Sequence, residues 1–180
     1  MQTWSALRQP LLLPFIKGVN MADYRLYRDT LNTADVIGSA TVALVPGQYV
    51  TIGELVVKAD ELVGMGYGSY KAQDQADGRI FADFKDSSST PVAIQGKFRI
   101  IMLSSQNIPV GASPVILDVD CSALRNGSGS RPGQIPFNFN DILLSKDKKF
   151  AFQILNTAAN AQTVSKANST VLMDITRALI

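Results

Sequence analysis

The 180-residue sequence contains no histidine. That single absence removes the commonest general base, the commonest metal ligand and the side chain that titrates near neutral pH. What remains for nucleophilic chemistry is serine beside lysine: Ser145-Lys146, Ser165-Lys166, and Ser69 with Lys71. Such a pair works only when the amine is held against the hydroxyl and depleted of its proton. Neighbouring serines and lysines arise by chance in most chains, and solvated loop residues are the expectation here. Paired carboxylates hydrolyse glycosides when they face one another across a cleft. Asp118 and Asp120 instead share one face of a single extended run, which suits hydrogen bonding to loops or holding an ion. Calcium needs several converging oxygens, and no EF-hand-like spacing is present. Gly64-Met65-Gly66-Tyr67-Gly68 lacks both the GxGxxG spacing and the following helix of a phosphate-binding loop. Cys121, the only cysteine, lies in an apolar run and is expected to be a buried structural thiol. The residues therefore nominate no catalytic group, no metal ligand, no cofactor and no small-molecule substrate.

The elements that would position any site are strands. From Val36 onward, short runs rich in Val, Ile, Thr, Phe and Tyr alternate with Gly, Pro, Asn and Ser clusters, the pattern of an all-β sandwich or barrel. Eight runs are expected: Thr41 to Val45, Tyr49 to Ala59, Leu62 to Tyr70, Arg79 to Phe84, Val92 to Leu103, Pro114 to Cys121, Lys149 to Leu155, and Thr170 to Ile180. The clearest is Val92 to Leu103, which puts Ile94, Phe98, Ile100 and Met102 on one face and Gln95, Lys97 and Arg99 on the other. Lys149 to Leu155 turns Phe150, Phe152 and Ile154 inward. Asn140 to Leu144 reads as a short helical turn, and residues 126–133 as the most loop-like stretch. No repeat or interdomain linker is visible. The expected fold is all-β, a single eight-stranded jelly-roll sandwich over residues 36–180 with an N-terminal arm over residues 1–35. One or two helical turns are expected in the arm around Ala22 to Leu31.

The arm carries the apolar segment Leu11-Leu12-Leu13-Pro14-Phe15-Ile16. It is too short, and too interrupted by Pro14, to read as a signal peptide or a membrane span. Leu11, Leu12, Leu13, Phe15 and Ile16 are expected to bind a partner as a clasp; packing on the chain's own core and anchoring at a membrane surface are the alternatives. Charged residues make up 18% of the chain, below the ~25% of an ordinary soluble domain. Low charge suits a surface partly covered by neighbours. The net charge of +2 is too small to imply a nucleic-acid binder. Lys97 and Arg99, on the open face of the clearest strand, join the arm as candidate partner-binding residues.

An arm followed by about eight strands, with the turn Pro46-Gly47 before Tyr49, Gly78-Arg79-Ile80-Phe81, Gly96-Lys97-Phe98-Arg99-Ile100 and the closing Met173-Asp174-Ile175-Thr176-Arg177, resembles the single jelly-roll major capsid proteins of icosahedral viruses. The small upright jelly rolls of internal-membrane viruses, the sphaerolipovirus type, are the most similar in length. The resemblance covers about Val36 to Arg177. Members from salt-loving hosts are strongly acidic and this chain is not, which implies another class of host. The resemblance implies a self-assembling shell subunit located in the virion and assembled in the host cytoplasm. Its implied partners are other copies of itself, a second capsid protein, and an underlying lipid membrane reached by the arm. A phage tail, fibre or surface-layer component is one alternative. A carbohydrate-binding β-sandwich, with exposed tyrosines as its platform, is another.

Overall fold

The computed structural model describes residues 25–57, 61–63, 78–104, 106–109, 115–126, 134–137 and 148–179. Among them are eleven strands and two short helices: β1 (Arg25–Asn32), α1 (Thr33–Val36), β2 (Thr41–Leu44), β3 (Tyr49–Val56), β4 (Glu61–Val63), β5 (Gly78–Asp83), β6 (Gly96–Ser104), β7 (Val115–Asp120), α2 (Cys121–Asn126), β8 (Ile135–Phe137), β9 (Lys148–Asn156), β10 (Gln162–Ser165) and β11 (Thr170–Leu179). One sheet has the order β1-β11-β5-β8, with β4 also pairing β11; a second has the order β3-β9-β6-β7; β10 and β2 form a separate ribbon.

The pairing follows one rule. Setting the ribbon and β4 aside, the first strand of the two sheets pairs with the last (β1 with β11), the second with the seventh (β3 with β9), the third with the sixth (β5 with β8), and the fourth with the fifth (β6 with β7). The chain is thus one long antiparallel hairpin. It is rolled into two sheets by the further pairings β11 with β5 and β9 with β6. That winding is a jelly roll, as expected.

The eight sequence runs and the eight strands of the roll overlap without coinciding. Six runs became β3, β5, β6, β7, β9 and β11; the other two became the accessory strands β2 and β4. β1 and β8, which complete the first sheet, lie outside the expected runs. The helix expected around Ala22 to Leu31 is strand β1 over Arg25–Asn32, and it pairs with β11 along its whole length. Tertiary pairing here overrides the helix-forming Leu and Arg content. Sheet structure therefore begins before the expected boundary at Val36, and residues 1–24 lie outside the described residues. Val92 to Gln95 precede β6 rather than belonging to it, and Cys121 opens α2 rather than closing a strand. Gly64, Gly66, Gly68 and the helical turn at 140–144 fall outside the described residues.

Period-two burial builds the core. β6 buries Phe98, Ile100 and Met102; β9 buries Phe150, Phe152 and Ile154; β11 buries Val171, Met173 and Ile175; β5 buries Ile80 and Ala82. The ring of Phe98 stacks between Phe84 and Phe152, at centroid distances of 5.3 Å and 6.4 Å. Each such side chain contributes about 1.5–3 kcal/mol on leaving water. Among the described residues the buried polar side chains are Asn156, Ser165 and Ser169. All three serve the backbone. Asn156 Nδ2 donates to the carbonyls of Leu44 and Asn160, while its Oδ1 accepts from the Ala158 N–H and the Gln162 amide. Ser169 Oγ donates to the Ser165 carbonyl and accepts from the Lys85 N–H.

Three described glycines, Gly53, Gly78 and Gly96, are required by close approach, and two of them face contrasting obstacles. A Cβ at Gly53, where β3 bulges against β9, would lie 2.1 Å from the Val36 carbonyl oxygen at the end of α1. A Cβ at Gly78 would lie 2.2 Å from the Phe137 ring. Glycine is the only residue type that leaves room for these contacts.

Candidate assembly surface

The registers of the β3-β9-β6-β7 sheet define its outward face row by row. Tyr49, Leu155, Lys97 and Asp120 form one row across the four strands, and Thr51, Gln153, Arg99 and Asp118 the next. Glu54, Ala151, Ile101 and Val115 follow; Val56, Lys149 and Leu103 come last, with Pro109 bridged to Leu103. The first two rows are polar and the last two are largely apolar.

The polar half is a connected network. The Arg99 guanidinium carbon sits 3.5 Å from the centroid of the Tyr49 ring, a cation–π contact. Arg99 Nε donates to Gln153 Oε1 at 2.7 Å, and Gln153 Nε2 donates to Thr51 Oγ1 at 3.0 Å. Tyr49 Oη donates to Asp118 Oδ2 at 3.0 Å. Partial burial and the Asp118 carboxylate hold the Tyr49 hydroxyl above its usual range, with Arg99 opposing them. Lys97 is exposed, in register with Asp120. The network fixes side chains that would otherwise be mobile, and what it presents is shape and charge rather than a reactive atom.

In the apolar half, Ile101, Leu103 and Ala151 are buried as a cluster separate from the main core, although they point away from it. Around them Val56, Ile108 and Val115 remain 60%, 57% and 38% exposed. Lys149 spans the edge of this half, 2.7 Å from Glu54.

The other sequence candidates are placed as follows. Lys166 Nζ is 3.4 Å from the carbonyl of Gly38, and Ser165 Oγ accepts from the Asn168 N–H; the adjacent pair forms no dyad. Ser145-Lys146, Ser69 and Lys71 lie outside the described residues, as do Leu11, Leu12, Leu13, Phe15 and Ile16. Asp118 is taken by Tyr49 rather than facing a second carboxylate across a cleft. Burial pushes the Cys121 thiol up to about 12. Among the described residues, no three Cys, Asp or Glu side chains are grouped to hold a metal ion.

Sequence reasoning put Lys97 and Arg99 on this outward face, where they lie, but did not join Tyr49, Thr51 or Gln153 to them. Alternation does put each on the outward face of its own strand. Their union depends on register between distant strands, which no single run encodes.

No family model matches this sequence, and no curated protein matches it. Solved structures do. The chain is similar to VP17, a capsid protein of bacteriophage P23-77, at 7% identity and a TM-score of 0.48, over 87% of this chain and 97% of that one. It is similar to the VP16-VP17 complex of the two major capsid proteins of bacteriophage P23-77, at 8% identity and a TM-score of 0.49, over 87% of this chain and 100% of that one. Infectious bursal disease virus, Gx strain, gives 10% identity and a TM-score of 0.37 over 86% of this chain and 32% of that one.

Proposed function

We infer that this chain is a structural subunit of a virion shell. The observation that carries this reading is the jelly roll itself, closed over a core of apolar side chains, with an outward sheet face that is rigid, half polar and half apolar. A jelly roll also hosts lectins and cupins, so fold alone does not decide function. A carbohydrate-binding module would present aromatic platforms, whereas Tyr49 spends its ring on Arg99 and its hydroxyl on Asp118. A rigid face that combines an apolar patch with a fixed arginine suits protein–protein contact.

On this reading each copy contacts others through the outward sheet face, the sheet edges and the loops, and a second capsid protein shares the shell. Lys97 and Arg99 lie in those contacts. The chain resides in the virion and is assembled in the host cytoplasm. Weak single contacts become strong together when many close at once.

The test is electron microscopy and light scattering of the purified full chain, alone and with any co-expressed second shell protein. Closed particles or extended sheets are expected. A homogeneous monomer at high concentration under every condition would overturn the reading.

A further inference from the structure

The apolar half of the outward sheet face and the start of β1 lie at the same end of the sandwich. Arg25 pairs with Leu179, and Leu179 pairs with Glu61 of β4. Glu61 follows Val56 by only a short link, and Val56 is in the last apolar row. β1 and β3 are both edge strands, one in each sheet. The chain that precedes Arg25 is therefore delivered beside the open rim formed by Val56, Ile108 and Val115.

The distances permit contact. The two sheets of a sandwich lie ~10 Å apart, and a row of four strands is ~14 Å wide. Residues 17–24, when extended, span up to ~26 Å. The segment from Leu11 to Ile16, extended, spans ~20 Å and can cross all four strands. Its five large apolar side chains match a rim of exposed apolar side chains around a dry floor of Ile101, Leu103 and Ala151.

We propose that residues 11–16 of this chain dock across the apolar half of its own outward sheet face, against Val56, Ile108 and Val115. The short tether makes this contact intramolecular, at a high effective concentration. Within the shell-subunit reading, docking stows the arm in the free subunit and covers the face that would otherwise meet a neighbour. Assembly must then displace it. The docking stands or falls independently of whether the chain forms shells.

Disulfide trapping in the dilute full chain tests it. The native Cys121 is buried and stays out of the reaction. Pairs Leu12→Cys with Val56→Cys and Leu12→Cys with Val115→Cys are compared with Leu12→Cys with Leu172→Cys, since Leu172 is exposed on the other sheet. All these substitutions lie at the surface or in the arm, and unchanged thermal melting confirms the fold. The first two pairs should close within one chain about tenfold faster than the third. Equal rates for all three pairs, no closure, or closure only between two chains would each overturn the assignment.

Discussion

Arg99 stands opposite Asp118 in the β6–β7 register, yet the two form no ion pair: Tyr49 comes between them, its ring beneath the guanidinium and its hydroxyl on the carboxylate. An arginine and an aspartate placed directly across two strands would ordinarily pair. Here a residue from β3, two strands away from β6, separates them. Among the described residues the guanidinium Nη groups donate to no side chain, while the position of the group is fixed through Nε and the ring face. The arginine is thereby held in one position without being neutralised by the aspartate across from it.

Removing the Tyr49 hydroxyl should expose that arrangement. Tyr49→Phe keeps the ring under Arg99 and loses the bond to Asp118, a cost of about 0.5–1.5 kcal/mol. The folded protein holds the Tyr49 proton more tightly than the unfolded chain does, because its pKa is raised from the usual 10.0. That contribution is complete below pH 10 and is lost as pH rises through the raised value. Thermal melts from about pH 9 to pH 11 should show a steeper alkaline loss in the wild type than in Tyr49→Phe. Parallel curves would mean that Tyr49 is not held this way.

The two glycine contacts differ in what opposes a side chain. At Gly53 the obstacle is the Val36 backbone carbonyl; at Gly78 it is the ring of Phe137. Gly53→Ala should cost at least the about 1–3 kcal/mol typical of overpacking, and Gly78→Ala less than Gly53→Ala, because a ring can shift. Phe137→Leu should partly rescue Gly78→Ala and do nothing for Gly53→Ala. Chemical denaturation of the three single variants and the two doubles reads the coupling, and purely additive costs at Gly78 and Phe137 would contradict the packing described.

Cys121 should resist alkylation in the native protein. With a thiol pKa of about 12, on the order of one molecule in ten thousand is thiolate at pH 8. Mass spectrometry after iodoacetamide treatment at that pH should find little adduct until denaturant is added. Rapid native labelling would place the thiol elsewhere.

How much of this was legible in the residues alone follows from what each feature depends on. β6 and β9 were readable because Phe98 and Ile100, and Phe150, Phe152 and Ile154, recur at every second residue, with Lys97, Arg99, Lys149 and Gln153 among their neighbours. β1 was missed because its leucines and arginines suit a helix equally well, and only β11 makes it a strand. β8 is three residues long, with Pro136 in its middle, and carries no periodic signal. Lys97 and Arg99 were visible as one face of one strand. The network around Arg99 was not, since Tyr49 and Gln153 lie far from it in the chain and meet it only after two registers are set.

The pairing of β1 with β11 has a consequence for how the protein is made. β11 lies between β1 and β5, so among the described strands β1 has no partner, and β5 has only the short β8, until residues 170–179 exist. During synthesis the first sheet cannot close until β11 has left the ribosome. A chain cut short before β11 never closes that sheet, although all four strands of the β3-β9-β6-β7 sheet are already present.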